Sequence, residues 1–331
     1  MSRLTRTLIP PAQRQPIEAL NDALDLGYGD ALAKRTGFLI MLVLSAIIAI
    51  SGVLADSTAT VIGAMIIAPL GTPILGIALG IVSGHLSLVL RSMMWVAIGL
   101  VVVVVLGWLF TFVIADPASL ETNSQILGRT SPHLLDLVAA LATGTAGAFA
   151  MCRRDLSAVL PGVAISISLV PPLGVVGVCM GQGAWDAAFG ALFLFLSNVV
   201  ALVIAGSIVF TVSGYARDPG SSPTANRRRA YVVVTVLALI VALPLAANTL
   251  VSVVLAGWTT QINAAAEAWL ADETGARVDD VTWRGLVATI EVTDPDGELP
   301  PTDDLSAALA GLPGAVSVVV DVGVGSEIPV R

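Results

Sequence analysis

The sequence predicts an all-α polytopic membrane bundle of about seven transmembrane helices, with a small C-terminal α+β domain. Three observations carry that expectation. Between Phe38 and Ala256 about seven apolar stretches follow one another, and the central part of each is free of Asp, Glu, Lys, Arg and His. Of 331 residues, 56% are hydrophobic and 12% charged, whereas a soluble domain carries roughly 25% charged residues. At an offset of 99 residues, Asp56–Gly107 falls onto Asp155–Gly206, matching Asp56 to Asp155, Gly63 to Gly162, Pro73 to Pro172, Gly84 to Gly183 and Gly107 to Gly206. Three spans per unit is an odd number, so the second unit is expected upside down relative to the first, as a 3+3 inverted repeat.

The first 37 residues are expected to form a cytoplasmic arm, because the first long apolar run starts only near Phe38 after a mixed-charge segment. Within the arm, Pro16–Lys34 reads as a short amphipathic helix lying at the membrane surface. About 20 apolar residues cross the roughly 30 Å hydrocarbon core. Seven segments reach that length: 38–54, 58–83, 92–115, 134–151, 157–180, 187–213 and 230–256. The repeat units are about 38–115 and 134–213, and 230–256 is an extra helix closing a transmembrane domain of 38–256. Twelve of the 16 basic residues fall in loops on one face, from Arg3, Arg6, Arg14, Lys34 and Arg35 through Arg91, Arg153 and Arg154 to Arg217 and Arg227–Arg229. The short loops of the other face hold Arg129 only, which by the positive-inside rule predicts a cytoplasmic N-terminus and an extracytoplasmic C-terminal domain.

Residues 257–331 change character. Trp258–Thr274 reads as an amphipathic helix with Trp258, Ile262, Trp269 and Leu270 on one face. Strands are expected at Ala276–Trp283 and Leu286–Thr293, the second alternating Leu286, Ala288, Ile290 and Val292 on one side. Asp294, Pro295, Asp296 and Gly297 signal a turn. A short helix at Thr302–Ala310 and a strand at Ala315–Val322 complete an αββαβ order, a small sheet with one face covered by helices. The net charge of −8 belongs to this tail, which holds 13 of the 24 acidic residues and three Arg. Such a balance argues against a nucleic-acid partner.

Helix breakers recur at matching depths of the two units. Pro69 and Pro73 flank Gly71 and Thr72 in the second span. Pro171 and Pro172 do the same in the fifth, with Ser166 and Ser168 one turn earlier. Proline removes a backbone hydrogen bond, and in lipid the freed groups need neighbouring helices or a water-lined cavity. Two readings stay open, a packing kink and a functional break lining a substrate pathway, and repetition at equivalent positions favours the second. Asn198 in the sixth span either binds substrate or supports the freed carbonyls. Gly76, Gly80 and Gly84 form a stripe of small residues suited to close helix contact, and with the tail's Trp face they suggest a homo-oligomer. Asp56 and Asp155 read as helix caps; His85 and His133 read as solvated side chains at helix ends. Cys152 and Cys179 are expected near opposite membrane faces and make no disulfide framework or metal site.

The segments VIGAMIIAPLGTPILGIALG, TGTAGAFA, VLPGVAISISLVPPLGVVG and ALFLFLSNVVALVIAG resemble the uncharacterised hydrophobic-domain family of bacterial and archaeal membrane proteins known as domain of unknown function 389. The resemblance runs from about Phe38 to Tyr215. It implies a multi-helix integral membrane protein and supplies no catalytic residues.

No catalytic set, cofactor site or nucleotide loop is evident, so no enzyme is expected. The spans lack the ionisable groups on which proton relays depend. The leading expectation is a transporter or channel for a small solute or ion, with Pro69, Gly71, Thr72, Pro73, Ser166, Ser168, Pro171 and Pro172 lining the pathway and Asn198 supporting it. The rival is a non-transporting scaffold or sensor whose acidic domain binds an envelope partner or membrane lipids.

Overall fold

Long apolar runs without water to satisfy their backbone must close their hydrogen bonds internally, and helices dominate accordingly. The computed structural model describes residues 9–113, 122–130, 134–156, 169–217, 227–271, 276–284, 287–293, 300–314 and 316–323. Two units emerge, Met1–Ala246 and Ala247–Arg331.

In the first unit the helices are α1 (Ile17–Leu24), α2 (Ala31–Leu54), α3 (Thr58–Ile67), α4 (Gly71–Ser83), α5 (Leu86–Phe110), α6 (Ser124–Thr130), α7 (Leu134–Met151), α8 (Val170–Gly181) and α9 (Trp185–Val212), followed by α10 (Arg227–Trp269), which runs on into the second unit. By length and composition α2, α5 and α9 can each cross a membrane. Among the described residues the count rises to as many as five when the bent pairs α3 with α4 and α6 with α7 are taken as single spans.

Several boundaries differ from those expected, each for a local reason. α2 starts at Ala31 because the Asp30 side chain caps it, accepting from Ala33 N at 3.1 Å. Lys34 and Arg35 then reach back out of the helix, Lys34 Nζ to Asp22 Oδ1 at 2.6 Å and Arg35 Nε to the Leu26 carbonyl at 3.2 Å. Long cationic side chains lengthen a helix beyond its apolar part in this way. Arg91 lies inside α5 for a similar reason, its charge met by Asp25 of the arm at 2.5 Å. Helix α1 does not lie free on a surface as the amphipathic pattern suggested. Its apolar side chains Ile17, Leu20 and Leu24 are buried in the main core.

The α4–α5 and α8–α9 hairpins turn at Gly84 and Gly183, both with φ of 76°, a left-handed geometry that glycine adopts without cost. Within the first hairpin, Gly76 faces Ser92 and Gly80 faces Val89. The glycine stripe is therefore spent inside the chain, between α4 and α5.

The second unit matches the expected order. β1 (Arg277–Arg284) pairs antiparallel with β2 (Val287–Thr293), α11 (Thr302–Ala308) crosses over, and β3 (Ser317–Gly323) pairs parallel with β2. Ala288, Ile290 and Val292 of β2 are buried with Val281 beneath Ile262, Ala266 and Leu270 of α10 and Leu305 and Leu309 of α11. Alternation along β2 thus holds, although Leu286 and the Asp294–Gly297 turn lie outside the described residues. The amphipathic helix expected from Trp258 is continuous with the last apolar span. Together they make 43 residues of α10, about 65 Å of helix at 1.5 Å per residue.

Candidate substrate pathway

The second predicted span is broken where its first proline stands. α3 ends at Ile67, Ala68 is extended (φ −69°, ψ 125°), and α4 begins at Gly71, with a bend of 49°. Ala68 N turns to the Met65 carbonyl at 3.3 Å, the tighter closure typical of a helix end. That leaves the Ala64 carbonyl, which would otherwise accept from Ala68. It is taken by Ser45 Oγ of α2 at 2.9 Å, a fully buried contact. Ser45 is the residue that sequence reasoning missed; its signal was a hydroxyl in the middle of an apolar span.

Pro73 plays a different part from the one expected. It is the third residue of α4, where helical N–H groups have no intrahelical acceptor in any case, so it frees no carbonyl within a continuous helix. Pro171 and Pro172 occupy the second and third positions of α8. All three prolines start helices, and only Pro69 lies in the break itself. Prolines at these positions also remove N–H groups from the first turns, leaving the start of α8 poorer in donors for an anion.

Gly71, Pro73, Pro171 and Pro172 are buried, and Pro69 and Thr72 are half-buried. Asn198 lies within α9 and is 1% exposed. Its neighbour Ser197 donates to the Leu194 carbonyl of its own helix at 2.8 Å. Ser166 and Ser168 lie outside the described residues.

Helix crossings next to these starts are very close. A Cβ added at Gly107 of α5 would stand 2.6 Å from the Gly174 carbonyl oxygen and 3.0 Å from Gly177 Cα of α8. One added at Gly206 of α9 would stand 2.9 Å from both Leu75 Cδ2 and Ala78 Cβ of α4. Gly174 and Gly177 are the 99-residue counterparts of Leu75 and Ala78, so the two crossings use equivalent positions. Gly181 at the end of α8 meets Thr111 just beyond α5, so α8 runs in the direction of α5. Since α4 and α5 are antiparallel arms of a hairpin, α8 runs opposite to α4.

Named contacts tie elements together at both ends of the bundle. At the basic end the arm ties four helices. Asp25 holds Arg91 of α5, and the Leu24 carbonyl lies 2.8 Å from where a Gly76 Cβ would stand. Gln15 N donates to the Cys152 carbonyl after α7 at 2.9 Å, and Arg14 Nε donates to the Ser213 carbonyl after α9 at 2.9 Å. The Arg14 guanidinium stacks 4.0 Å from the Tyr215 ring centroid, an attractive geometry for a cation over an aromatic face. Cys152 is fully buried here, and burial pushes its thiol up to about 11.

At the opposite end α6 packs against the ends of α2, α3, α8 and α9. Its Ile126 is buried among Val53, Val61, Val175, Val176 and Ala188. Asp56, in the left-handed region at φ 48°, accepts from Ser124 Oγ at 2.6 Å and from Gln125 N at 3.2 Å. The Ser124 hydroxyl, foremost, holds the Asp56 carboxyl below its ordinary value of 3.8. Asn123 Nδ2 donates to the Val53 carbonyl at 2.8 Å, which pins the same loop to the end of α2. Asp155 is instead an ion partner of Arg153 at 2.5 Å. Among the described residues no group of three or more His, Cys, Asp or Glu is arranged to hold a metal.

Residues 65–204 match the family described as Domain of unknown function (DUF389). An uncharacterised protein of Methanocaldococcus jannaschii is 35% identical over 176 residues, covering 53% of this chain and 54% of that protein, so the chain spans about half the length of this relative. No solved structure matches. The matched segment holds the break at Pro69, the paired helix starts at Gly71 and Val170 and the close approach of Gly107 to Gly174 and Gly177, and over these residues the chain is similar to the DUF389 family.

Proposed function

We propose that this protein is a transporter or channel for a small solute or ion, built on a 3+3 inverted repeat with its pathway between the second and fifth of seven spans. The observation that carries this reading is the exchanged packing of two half-helices. α4 and α8 start at positions 99 residues apart, run in opposite directions, and each lies against the long helix of the other unit through Gly206 and Gly107. Broken helices in two inverted repeats, with the site at their mid-membrane starts, are the architecture of many secondary transporters. The seven spans of this reading are α2, α3 with α4, α5, α7, the sequence stretch 157–180, α9 and the apolar part of α10.

In this reading the chain is in an occluded state, with the arm closing the basic end and α6 the other. Asn198 is the 99-residue counterpart of Gly99, whose added Cβ would stand 2.6 Å from Leu70 at the first break. By that equivalence Asn198 is set toward the start of α8 and serves the pathway. The clustering of Arg14, Arg35, Arg91 and Arg153 around the arm supports a cytoplasmic basic end. An Ala310→Cys variant labelled from outside intact cells tests that orientation. Homo-oligomerisation belongs to the same reading. It rests on α3, where Gly63 faces open space between exposed Ile62 and Ile66, and not on the α4 glycines.

The scaffold reading has one observation in its favour. The C-terminal part of α10 covers one face of the sheet in the second unit, a small folded domain suited to binding a partner. Proteoliposomes assayed with a panel of small anions, cations and neutral solutes decide between the two. Transport predicts flux of at least one solute. It also predicts changed flux with little loss of stability in Pro69→Ala, because the substitution lets α3 and α4 join. A parent protein that passes nothing overturns the transport reading and leaves the scaffold.

A further inference from the structure

The apolar run of α10 from Tyr231 to Ala256 contains no charged residue. Its 26 residues, about 39 Å of helix, more than cross the roughly 30 Å hydrocarbon core. Gly257 and Trp258 follow, and then Thr259, Thr260 and Gln261. The membrane boundary therefore falls near Trp258, the depth at which Trp is enriched in membrane helices.

A second indole is fixed at this level by the fold of the C-terminal unit. Trp283, near the end of β1, has its ring centroid 6.0 Å from that of Trp258. Its Nε1–H donates to Thr259 Oγ1 at 2.7 Å, and Thr259 Oγ1 in turn donates to the Leu255 carbonyl at 2.9 Å. Both rings are half-buried and leave surface uncovered. The acidic part of the sheet lies farther off, and the strand residue next to Trp283 is the cationic Arg284. Arg277 is six residues before Trp283, about 20 Å along the strand, and Asp279, Asp280 and Glu291 lie between, clear of an anionic headgroup layer. Trp269 is 11 residues beyond Trp258, about 16 Å farther along the helix, where its Nε1–H donates to the Pro301 carbonyl at 3.1 Å.

We propose that the C-terminal unit is seated on the lipid headgroups where α10 leaves the bilayer, with Trp258 and Trp283 as a paired aromatic anchor. The occupant of this surface is the phospholipid leaflet itself. A Trp contributed by α10 alone would mark only where a helix exits. A Trp contributed by the sheet and bonded to the same helical turn makes the domain part of the membrane surface. The inference rests on the reading of α10 as a membrane span.

The test uses the full chain in nanodiscs of phosphatidylcholine and phosphatidylglycerol brominated near the headgroup end of the acyl chains. Three single-Trp proteins are compared, retaining Trp258, Trp283 or Trp269 with the other Trp residues changed to Phe. Expected is at least twofold quenching of Trp258 and of Trp283, with Trp269 unchanged. An unquenched Trp258 means that α10 does not span as read, and the proposal falls with that reading. A quenched Trp258 with Trp283 no more quenched than Trp269 overturns the proposal alone. A check that leaves the tryptophans intact is a spin label at exposed Thr282 compared with one at exposed Asp279. Collisions with oxygen relative to a soluble nickel chelate should be higher at Thr282, and equal ratios at the two sites count against the anchor.

Discussion

Neutralising Asp25 should release the N-terminal arm, and the chain carries its own reporter of that event. Asp25 Oδ2 meets Arg91 at 2.5 Å while Oδ1 accepts from Gly27 N at 2.8 Å. The Asp25 side chain is 6% exposed, but that of Arg91 is 35% exposed. Losing one partner of a fully buried pair costs about 3–5 kcal/mol, and an exposed pair is worth about 0–1 kcal/mol. A half-screened pair falls between, at about 2 kcal/mol, which is about 30-fold in an equilibrium constant. The Asn amide oxygen can still accept from Gly27 N, so Asp25→Asn removes the charge pair and little else. Beneath the arm lies Cys152, whose carbonyl accepts from Gln15 N, while Arg154 N donates to the Gln13 carbonyl at 2.8 Å. Its thiol is fully buried and pushed up to about 11, so labelling requires the arm to open, and orientation alone does not make it reactive. In a Cys179→Ala background, the rate of Cys152 labelling by a maleimide should rise about 30-fold in Asp25→Asn at an unchanged bundle melting temperature. A rate within twofold of the parent would show that the ion pair does not hold the arm. If the arm is the gate at the basic end, the same variant raises flux in proteoliposomes.

Three other outcomes follow from named contacts. Ser45→Ala strands the Ala64 carbonyl in an apolar interior and should cost about 1–3 kcal/mol, read as a lower melting temperature in detergent; an unchanged value would mean that the break needs no tie from α2. Gly177→Ala would place a methyl 2.8 Å from Gly107 Cα and Trp108 N, both backbone atoms that cannot rotate away. Overpacking of this kind costs about 1–3 kcal/mol, so folded yield should fall, whereas Gly63→Ala, with open space around it, should be neutral. The Asp56 carboxyl is held below 3.8, so its contribution to docking α6 is complete above pH 3.8 and is lost as pH falls through its lowered value. Corrected for the intrinsic exchange rate at each pH, protection of the Gln125 and Ile126 amides should fall only below pH 3.8, and Asp56→Asn should abolish that dependence.

Hydropathy alone predicted the long apolar helices, which fit a membrane protein because a run of apolar residues has few other stable environments. Period-two alternation gave the strands of the tail, with Ala288, Ile290 and Val292 buried as expected. The 99-residue offset was legible in Gly84 and Gly183, which both turn hairpins, and in the matching starts of α4 and α8. What a single chain of letters could not assign was the partner of each polar or small residue. Ser45 looked incidental until the Ala64 carbonyl appeared beside it. Gly76 and Gly80 were readable as a close helix contact, but which helix they meet, α5 of the same chain, was not. Pro73 and Pro172 looked like interruptions, yet they are third residues of new helices, because the position of a break depends on where the preceding helix loses its hydrogen bonds. The arm's apolar face was readable as amphipathic, but amphipathicity names a face and not what covers it. Only the tertiary structure set Leu24 against Gly76 and Asp25 against Arg91, since contacts between residues far apart in sequence are fixed by packing and charge complementarity that no local pattern encodes.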